Sequence, residues 1–295
     1  MMVGWFCETK THNTNGSFQM ATLYDTSIEL NGVVYGIAGI DVGNSRVKIH
    51  HDDVFLSFPY DKDWKKNVQH HFRDHVNRRY LIGLSSVNPK QTTAIVKVLQ
   101  RCPGHMVVNA HSLLMRNEAL LHFGDVEHAG IDRLLGSIGA MTQVAPPLVT
   151  VDCGTAVTVN AIGADRTFNG GVIFAGVSTQ LFGLAKQTAG IPEYRYTPGQ
   201  ETIGQNTQHS VMAGVTASVA GGISYAVRHY IGADGTAPAS IVITGGESAP
   251  IIEALAKEGI TATYHQHMVT DGILTLMANA TLHDIQDSVI GKITT

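Results

Sequence analysis

Two segments of this chain carry an aspartate, any residue, a glycine and small polar residues directly after an apolar run: Asp41-Val42-Gly43-Asn44-Ser45 and Asp152-Cys153-Gly154-Thr155-Ala156. Such a turn sets a carboxylate at the end of a buried strand, and glycine lets the backbone bend tightly and approach a ligand closely. Backbone N–H groups and the hydroxyls of Ser45, Thr155 and Thr158 suit phosphate oxygens, while Asp41 and Asp152 suit a cation held directly or through water. Lys48, on the strand leaving the first turn, adds a point charge for the same phosphates. Together these groups suit phosphoryl transfer, whose catalysis is mostly positioning and charge neutralisation. One Asp-x-Gly turn is an ordinary hairpin. Two copies at corresponding places imply a duplicated unit with a cleft between its halves.

A third set, Gly130-Ile131-Asp132-Arg133, stands at a loop-to-helix junction. Asp132 there either caps orphan helix N–H groups or accepts a proton from a substrate hydroxyl, and Arg133 suits a substrate carboxylate. No Gly-x4-Gly-Lys-Ser/Thr loop occurs, and no Gly-x-Gly-x-x-Gly lies between a strand and a helix. The two commonest nucleotide-binding plans are thereby disfavoured.

The elements that must hold these groups are legible as apolar patterns. From Val33 the chain reads strand, tight turn at Gly43 and Asn44, strand. The segment from Asp61 has Trp64, Val68, Phe72 and Val76 at four-residue steps, an amphipathic helix whose other face is basic and solvated. YLIGLSSV is a buried strand, Pro89 opens a helix, and HMVVNA is another strand, giving β-β-α-β-α-β, a mixed sheet with helical crossovers. After Pro146 and Pro147 the pattern restarts with LVTVDCGTAVTVNAIG, then GGVIFAG, a small-residue helix at VMAGVTASVAGGISYAVRHYI, and SIVITGGES as a further strand. The expected organisation is an extension at 1–32 containing one weakly alternating stretch, a first domain at 33–145 and a second at 146–295.

At 295 residues, 44% hydrophobic and 15% charged, the chain has the composition of a globular protein of two domains or one large α/β unit. A net charge of −4 argues against a nucleic-acid partner. Three scattered cysteines, Cys7, Cys102 and Cys153, form no disulfide or zinc pattern and fit a reducing, cytoplasmic setting. Polar residues break the N-terminal segment before a signal peptide forms, and no run approaches about 18 uninterrupted apolar residues, so no membrane span is expected.

In this order, IDVGNSRVK (40–48), SSVNP (85–89), GIDR (130–133), VDCGTAVT (151–158), GGVIFAG (170–176), IGQNT (203–207), ITGG (243–246) and VTDGIL (269–274) resemble type III pantothenate kinase. That family belongs to the acetate and sugar kinase, Hsp70 and actin superfamily. The resemblance covers about Ile37 to Met277. It implies an α/β fold of duplicated ribonuclease-H-like, actin-like domains, mixed β-sheets flanked by helices with a cleft between the halves. It implies ATP-dependent phosphorylation of pantothenate, the first step of coenzyme A biosynthesis, with Mg²⁺ and a monovalent cation, K⁺ or NH₄⁺, in a cytoplasmic homodimer. Residue by residue it makes Asp41, Val42, Gly43, Asn44, Ser45, Arg46, Val47 and Lys48 the first ATP loop and Thr155 a second ATP contact. Asp152 resembles the cation ligand and Asp132 the catalytic proton acceptor. Phe123, Gly130, Ile131, Asp132, Arg133 and Thr207 resemble the pantothenate positions, Thr207 reaching the partner subunit's site.

The chain departs from that pattern at Phe123, where a tyrosine is usual, at Asn160, where an aspartate is usual, and at Val126 and Ala175, where prolines are usual. Asn160 offers an oxygen without a charge, which implies weaker cation binding. Two other readings stay open: a non-catalytic, nucleotide-binding regulatory relative, and another small-acid or sugar kinase of the superfamily. His70, His71 and His75 read as part of a solvated helix face, and His265 and His267 as same-face residues of a strand. Cys153 reads as a small apolar packing residue.

Overall fold

The computed structural model describes residues 26–74, 78–123, 129–197, 203–231 and 240–290. β1 (Ser27–Leu30) turns into β2 (Val33–Val42), and the two pair antiparallel from Ser27↔Gly36 to Leu30↔Val33. Asn31 and Gly32 in the turn have φ of 53° and 75°, as a two-residue type I′ hairpin needs. The end of the expected extension is thus an added edge strand; residues 1–25, Cys7 among them, lie outside the described residues.

β3 (Arg46–His51) and β4 (Val54–Pro59) continue the antiparallel meander. Through α1 (Trp64–Asp74) the chain reaches β5 (Tyr80–Ser86), and through α2 (Pro89–Leu99) it reaches β6 (Met106–Asn109). The expected order lacked β4. Asp52, at φ 47°, reverses the chain directly after β3, and the strand that follows is only half-buried, which weakens its pattern. Pro89 opens α2 as expected, with the Asn88 side chain accepting from Gln91 N–H at 3.2 Å.

After α3 (Ala110–Leu114) and α4 (Ile131–Met141) the design repeats. β7 (Leu148–Cys153), β8 (Ala156–Ile162) and β9 (Phe168–Ala175) form a second meander. It is followed by α5 (Val177–Gln187), α6 (Thr207–Ala226) with a π-helical turn at Val227–Ile231, and β10 (Ser240–Thr244). α7 (Ser248–Lys257), β11 (Ala262–Tyr264), α8 (Met268–Asn279) and α9 (Leu282–Asp287) complete the chain. The sheets run β4-β3-β2-β5-β6 and β9-β8-β7-β10-β11, identical strand for strand, with β1 added to the first. This is a duplicated actin-like fold, mixed sheets flanked by helices.

Five layers result. Trp64, Val68 and Phe72 of α1 and Ile95 and Val98 of α2 pack on Ile40, Val42, Ile49 and Ile82 of the first sheet. Residues of α5, α6 and α7 cover Val149, Val151 and Val159 on the outer face of the second sheet. Between the sheets, α4 and α8 contribute Leu135, Ile138, Ile273 and Met277, which share one core with Ile37 and Leu81 of the first sheet and Leu148 and Ile162 of the second. Each such fully buried aliphatic side chain contributes roughly 1.5–3 kcal/mol of transfer free energy. The two helices cross at bare backbone. A Cβ on Gly139 would lie 1.8 Å from Met268 O, and one on Gly272 would lie 1.9 Å from Leu135 O. This contact fixes the start of α4 against both sheets.

Among the described residues, Thr207–His229 is the one helix long and apolar enough to cross a membrane, with a best-window mean hydropathy of 1.4. Val211, Val215, Val219 and Ile223 are built into the second core. Two expectations about histidines are overturned. β11 ends at Tyr264, so His265 and His267 lie in the connection to α8 rather than on a strand. His71 leaves the solvated face of α1, its Nε2 lying 2.7 Å from Nε2 of buried His51; His75 and Val76 lie outside the described residues.

Candidate active site

Alternation along β2 sends Ala38, Ile40 and Val42 to the outer core and leaves Gly39 and Asp41 on the central face. Lys48 is the register partner of Asp41 on β3, and its Nζ lies 3.8 Å from Asp41 Oδ2. Val42 and Val47 are buried in the outer core, so their side chains anchor the turn. Gly43 N–H donates to Arg46 O at 3.1 Å, and Tyr60 O–H donates to both Gly43 O (2.9 Å) and Arg46 O (3.0 Å). Asn44, Ser45 and Arg46 are exposed, and Arg46 Nη1 donates to Ser57 on β4 at 3.2 Å.

The second turn is built the same way. Val149, Val151 and Cys153 face the outer core, leaving Thr150 and Asp152 on the central side. Cys153 packs there as expected, with burial pushing its thiol pKa up. Gly154 N–H donates to Ala156 O at 3.1 Å, and Thr155 O accepts from Gly176 N–H (3.0 Å) and the Thr179 hydroxyl (2.5 Å). These bonds dock the N-terminus of α5 on the turn. Glu247, beyond the Gly245-Gly246 bend, accepts from the backbone N–H and hydroxyl of Ser178 in the first turn of that helix. Ala175, the departure at the end of β9, is exposed and pairs with Ala156. The two turns touch, Ser45 Oγ lying 2.9 Å from Thr155 Oγ1.

Three carboxylates lie within electrostatic reach of one another here. Burial pushes Asp41 up to about 6; Lys48 opposes the rise, while Asp132 and Asp152 add to it. Burial likewise raises Asp152, again opposed by Lys48 and reinforced by Asp132. Asp41 is 5% exposed and its Oδ1 has no hydrogen-bond partner. An orphaned buried carboxylate oxygen beside two further carboxylates fits a hard cation. Among the described residues no three ligands are preassembled around one point, so such an ion would draw on phosphate oxygens or water as well.

Gly130 is the N-cap of α4, and Asp132 Oδ1 accepts from Arg133 N–H at 2.9 Å. A Cβ on Gly130 would lie 2.7 Å from that oxygen, so only glycine leaves room for the carboxylate in this pose. Both readings of Asp132 therefore find support: it satisfies one helix N–H and also lies within electrostatic reach of Asp41 and Asp152. Ile131 is buried in the central core. Arg133 Nε donates to Asn160 Oδ1 at 2.6 Å, and its guanidinium lies 5.4 Å from the Phe168 ring. Burial pulls its pKa down, with Asp132 opposing.

Asn160 was expected to weaken a cation site, but here its Oδ1 is engaged by Arg133 and its Nδ2 by Thr150. Phe123 packs half-buried on the central core, next to His122, whose backbone exchanges bonds with Arg166 and Phe168; Val126 lies outside the described residues. Thr207 stands exposed in the first turn of α6, and no contact links it to the three carboxylates. A further cluster escaped the sequence reading. Asp271 bridges His50 Nδ1 (2.8 Å) and His265 Nε2 (2.9 Å), tying β3 to α8. Burial would raise Asp271, but the two imidazoles beside it hold it below the usual carboxylate range.

Residues 39–229, which contain both Asp-x-Gly turns, Gly130–Arg133 and Thr207, match the family model of type III pantothenate kinase. The chain belongs to that family. A type III pantothenate kinase from Rhodopirellula baltica is 38% identical over 156 residues, 51% of this chain and 55% of the relative. One from Sulfurihydrogenibium is 25% identical over 261 residues, 80% of this chain and 97% of the relative. Among solved structures, a Baf family transcriptional activator from Campylobacter jejuni superposes with a TM-score of 0.52 at 18% identity, covering 81% of this chain and 96% of that one. The activator of 2-hydroxyisocaproyl-CoA dehydratase from Clostridium difficile, with ADPNP bound, gives 0.50 at 11% identity, covering 82% and 94%. At these identities the two structures speak for the fold alone. Of the Asp271 cluster, His50 lies inside the segment matched to the type III pantothenate kinase model, while His265 and Asp271 lie beyond it.

Proposed function

We propose that the chain transfers the γ-phosphoryl group of ATP to the primary hydroxyl of pantothenate, giving 4′-phosphopantothenate and ADP, the first step of coenzyme A biosynthesis. The observation that carries this reading is the contact between the two Asp-x-Gly turns, Ser45 Oγ to Thr155 Oγ1, with Lys48 paired to Asp41 beside it, within a chain of this kinase family. The Gly43–Lys48 turn and Thr155 would receive the ATP phosphates, with Lys48 neutralising charge. Asp41 would hold Mg²⁺ through its unpartnered Oδ1, and Asp152 a monovalent cation, each supplying positive charge beside the phosphates. Asp132 accepts the proton as the substrate oxygen bonds to the γ-phosphorus and the bond to the β-phosphate oxygen breaks. Arg133 holds the substrate carboxylate.

A coupled ADP-release assay across pantothenate, simple sugars and short carboxylic acids tests the substrate. Release with a sugar and none with pantothenate would sink the reading, and release with none of them would point to a non-catalytic relative. Arg133→Ala should raise the pantothenate KM by one to two orders of magnitude, about 1.5–3 kcal/mol of charge-assisted bonding, and spare the ATP KM. Arg133→Lys should recover only part, because a point charge replaces a planar fork.

The reading includes a cytoplasmic homodimer. Its support is the outer stripe of α6, where Gly214, Ala217, Ser218 and Gly221 are exposed and nothing lies within 4 Å of a Cβ placed on either glycine. Bare backbone of this kind suits close approach of a second helix, and Thr207 begins the same helix. Light scattering checks this: a fully active monomer would overturn it.

A further inference from the structure

Among the described residues, Arg133 is held on two sides and unengaged on the third. Its Nε is tied to Asn160 Oδ1 at 2.6 Å, one face lies toward the Phe168 ring, and no described residue accepts from its Nη1 or Nη2. The acceptor is itself fixed from behind. Asn160 is 2% exposed, and its Nδ2 donates to the hydroxyl of Thr150, a fully buried residue opposite it in the β7–β8 register. An amide can present either end to a neighbour; Arg133 Nε–H can only donate and so requires Oδ1, and the Thr150 hydroxyl, accepting from Nδ2, holds the amide in that orientation. Both residues sit on the central face of the second sheet, Thr150 two positions before Asp152 on the same strand. The strands that set the phosphate turn thereby also set the direction of Arg133.

We propose that Asn160 and Thr150 are a positioning pair that aims the free Nη edge of Arg133 at the carboxylate of the acid substrate. The inference rests on the reading of Arg133 as the carboxylate contact. Asn160 supplies an acceptor without charge, so the positive charge of Arg133 stays available to the substrate. Thr150 acts one step further back, through the amide.

Steady-state kinetics on the full chain test it, with thermal stability recorded for each variant. Asn160→Ala should raise the pantothenate KM about ten-fold and leave kcat and the ATP KM near wild type, since the lost group orders a substrate contact. Asn160→Asp keeps an acceptor for Nε and should fall between wild type and Asn160→Ala. Thr150→Val should shift the same constant in the same direction, and Thr150→Ser, which restores the hydroxyl, should reverse it. The double variant Asn160→Ala/Arg133→Ala should bind pantothenate no worse than Arg133→Ala, because nothing remains to be positioned.

An unchanged pantothenate KM in Asn160→Ala, or additive losses in the double variant, overturns the positioning role while leaving Arg133 in place. An unchanged KM in Arg133→Ala, or a wild type that does not turn over pantothenate, removes the underlying reading and this inference with it. If Asn160→Ala does not fold, the Thr150→Val and Thr150→Ser pair decides. A shift reversed by serine supports the role, and no shift overturns it.

Discussion

Asp132→Asn is expected to lower kcat by about 10²–10⁴-fold, or roughly 3–5 kcal/mol of barrier, with little change in the pantothenate KM. The substitution preserves volume and an oxygen that can still accept from Arg133 N–H, so the start of α4 should survive it. The change removes only the capacity to take a proton and the negative charge within reach of Asp41 and Asp152. Both matter as the hydroxyl oxygen forms its bond to phosphorus, which is why the loss should appear in kcat. Removing that charge should also relax Asp41 toward its ordinary value, because Asp132 contributes to the rise. Steady-state kinetics and thermal denaturation of the same variant separate the two roles of this carboxylate. Full activity together with a stability loss of about 1 kcal/mol would make Asp132 a helix cap and nothing more.

What the sequence made legible was local. Both Asp-x-Gly turns, the strands entering them and the junction at Gly130 follow from apolar alternation and glycine placement within a few residues, and the structure builds each of them. The unforeseen groups are joined across larger separations. Tyr60 clamps Gly43 from 17 positions away, Asn160 holds Arg133 across 27, and Glu247 reaches Ser178 across 69. None of these pairs has a sequence pattern; each exists because tertiary packing sets a helix, strand or turn against a distant one. The misread strand at His265 has a comparable cause. After one last bond from His265 N–H to Ile243 O, β10 runs out into the bend at Gly245, at φ 106°, and no ladder remains for residues 265–267. His265 instead joins Asp271 and His50, a contact between the second half and β3 that only the packing of α8 on the first sheet creates.

Asp41→Asn should lower turnover by about 10²–10³-fold while raising thermal stability, because the residue that would hold the cation is one the fold pays to keep charged. Asp41 has an ordinary value of 3.8 and is pushed up to about 6 by burial, despite Lys48 at 3.8 Å. A carboxyl that binds its proton more tightly folded than unfolded makes stability fall as pH rises from about 3.8 to about 6. The penalty is complete above that window, where the displacement corresponds to at most about 3 kcal/mol. Asparagine never carries it. The variant should therefore melt several degrees above wild type at pH 8, and the gap should close by pH 4. Nucleotide reverses the comparison: MgATP should raise the Tm of wild type, whose ionised Asp41 gains a cation, and leave the variant nearly unmoved. The same ionisation should make the wild-type ATP KM climb as pH drops below about 6. Near-wild-type turnover of Asp41→Asn at saturating Mg²⁺ would remove the first turn from the phosphate site. A melting temperature equal to wild type at pH 8 would show instead that Lys48 fully offsets the burial of this carboxylate.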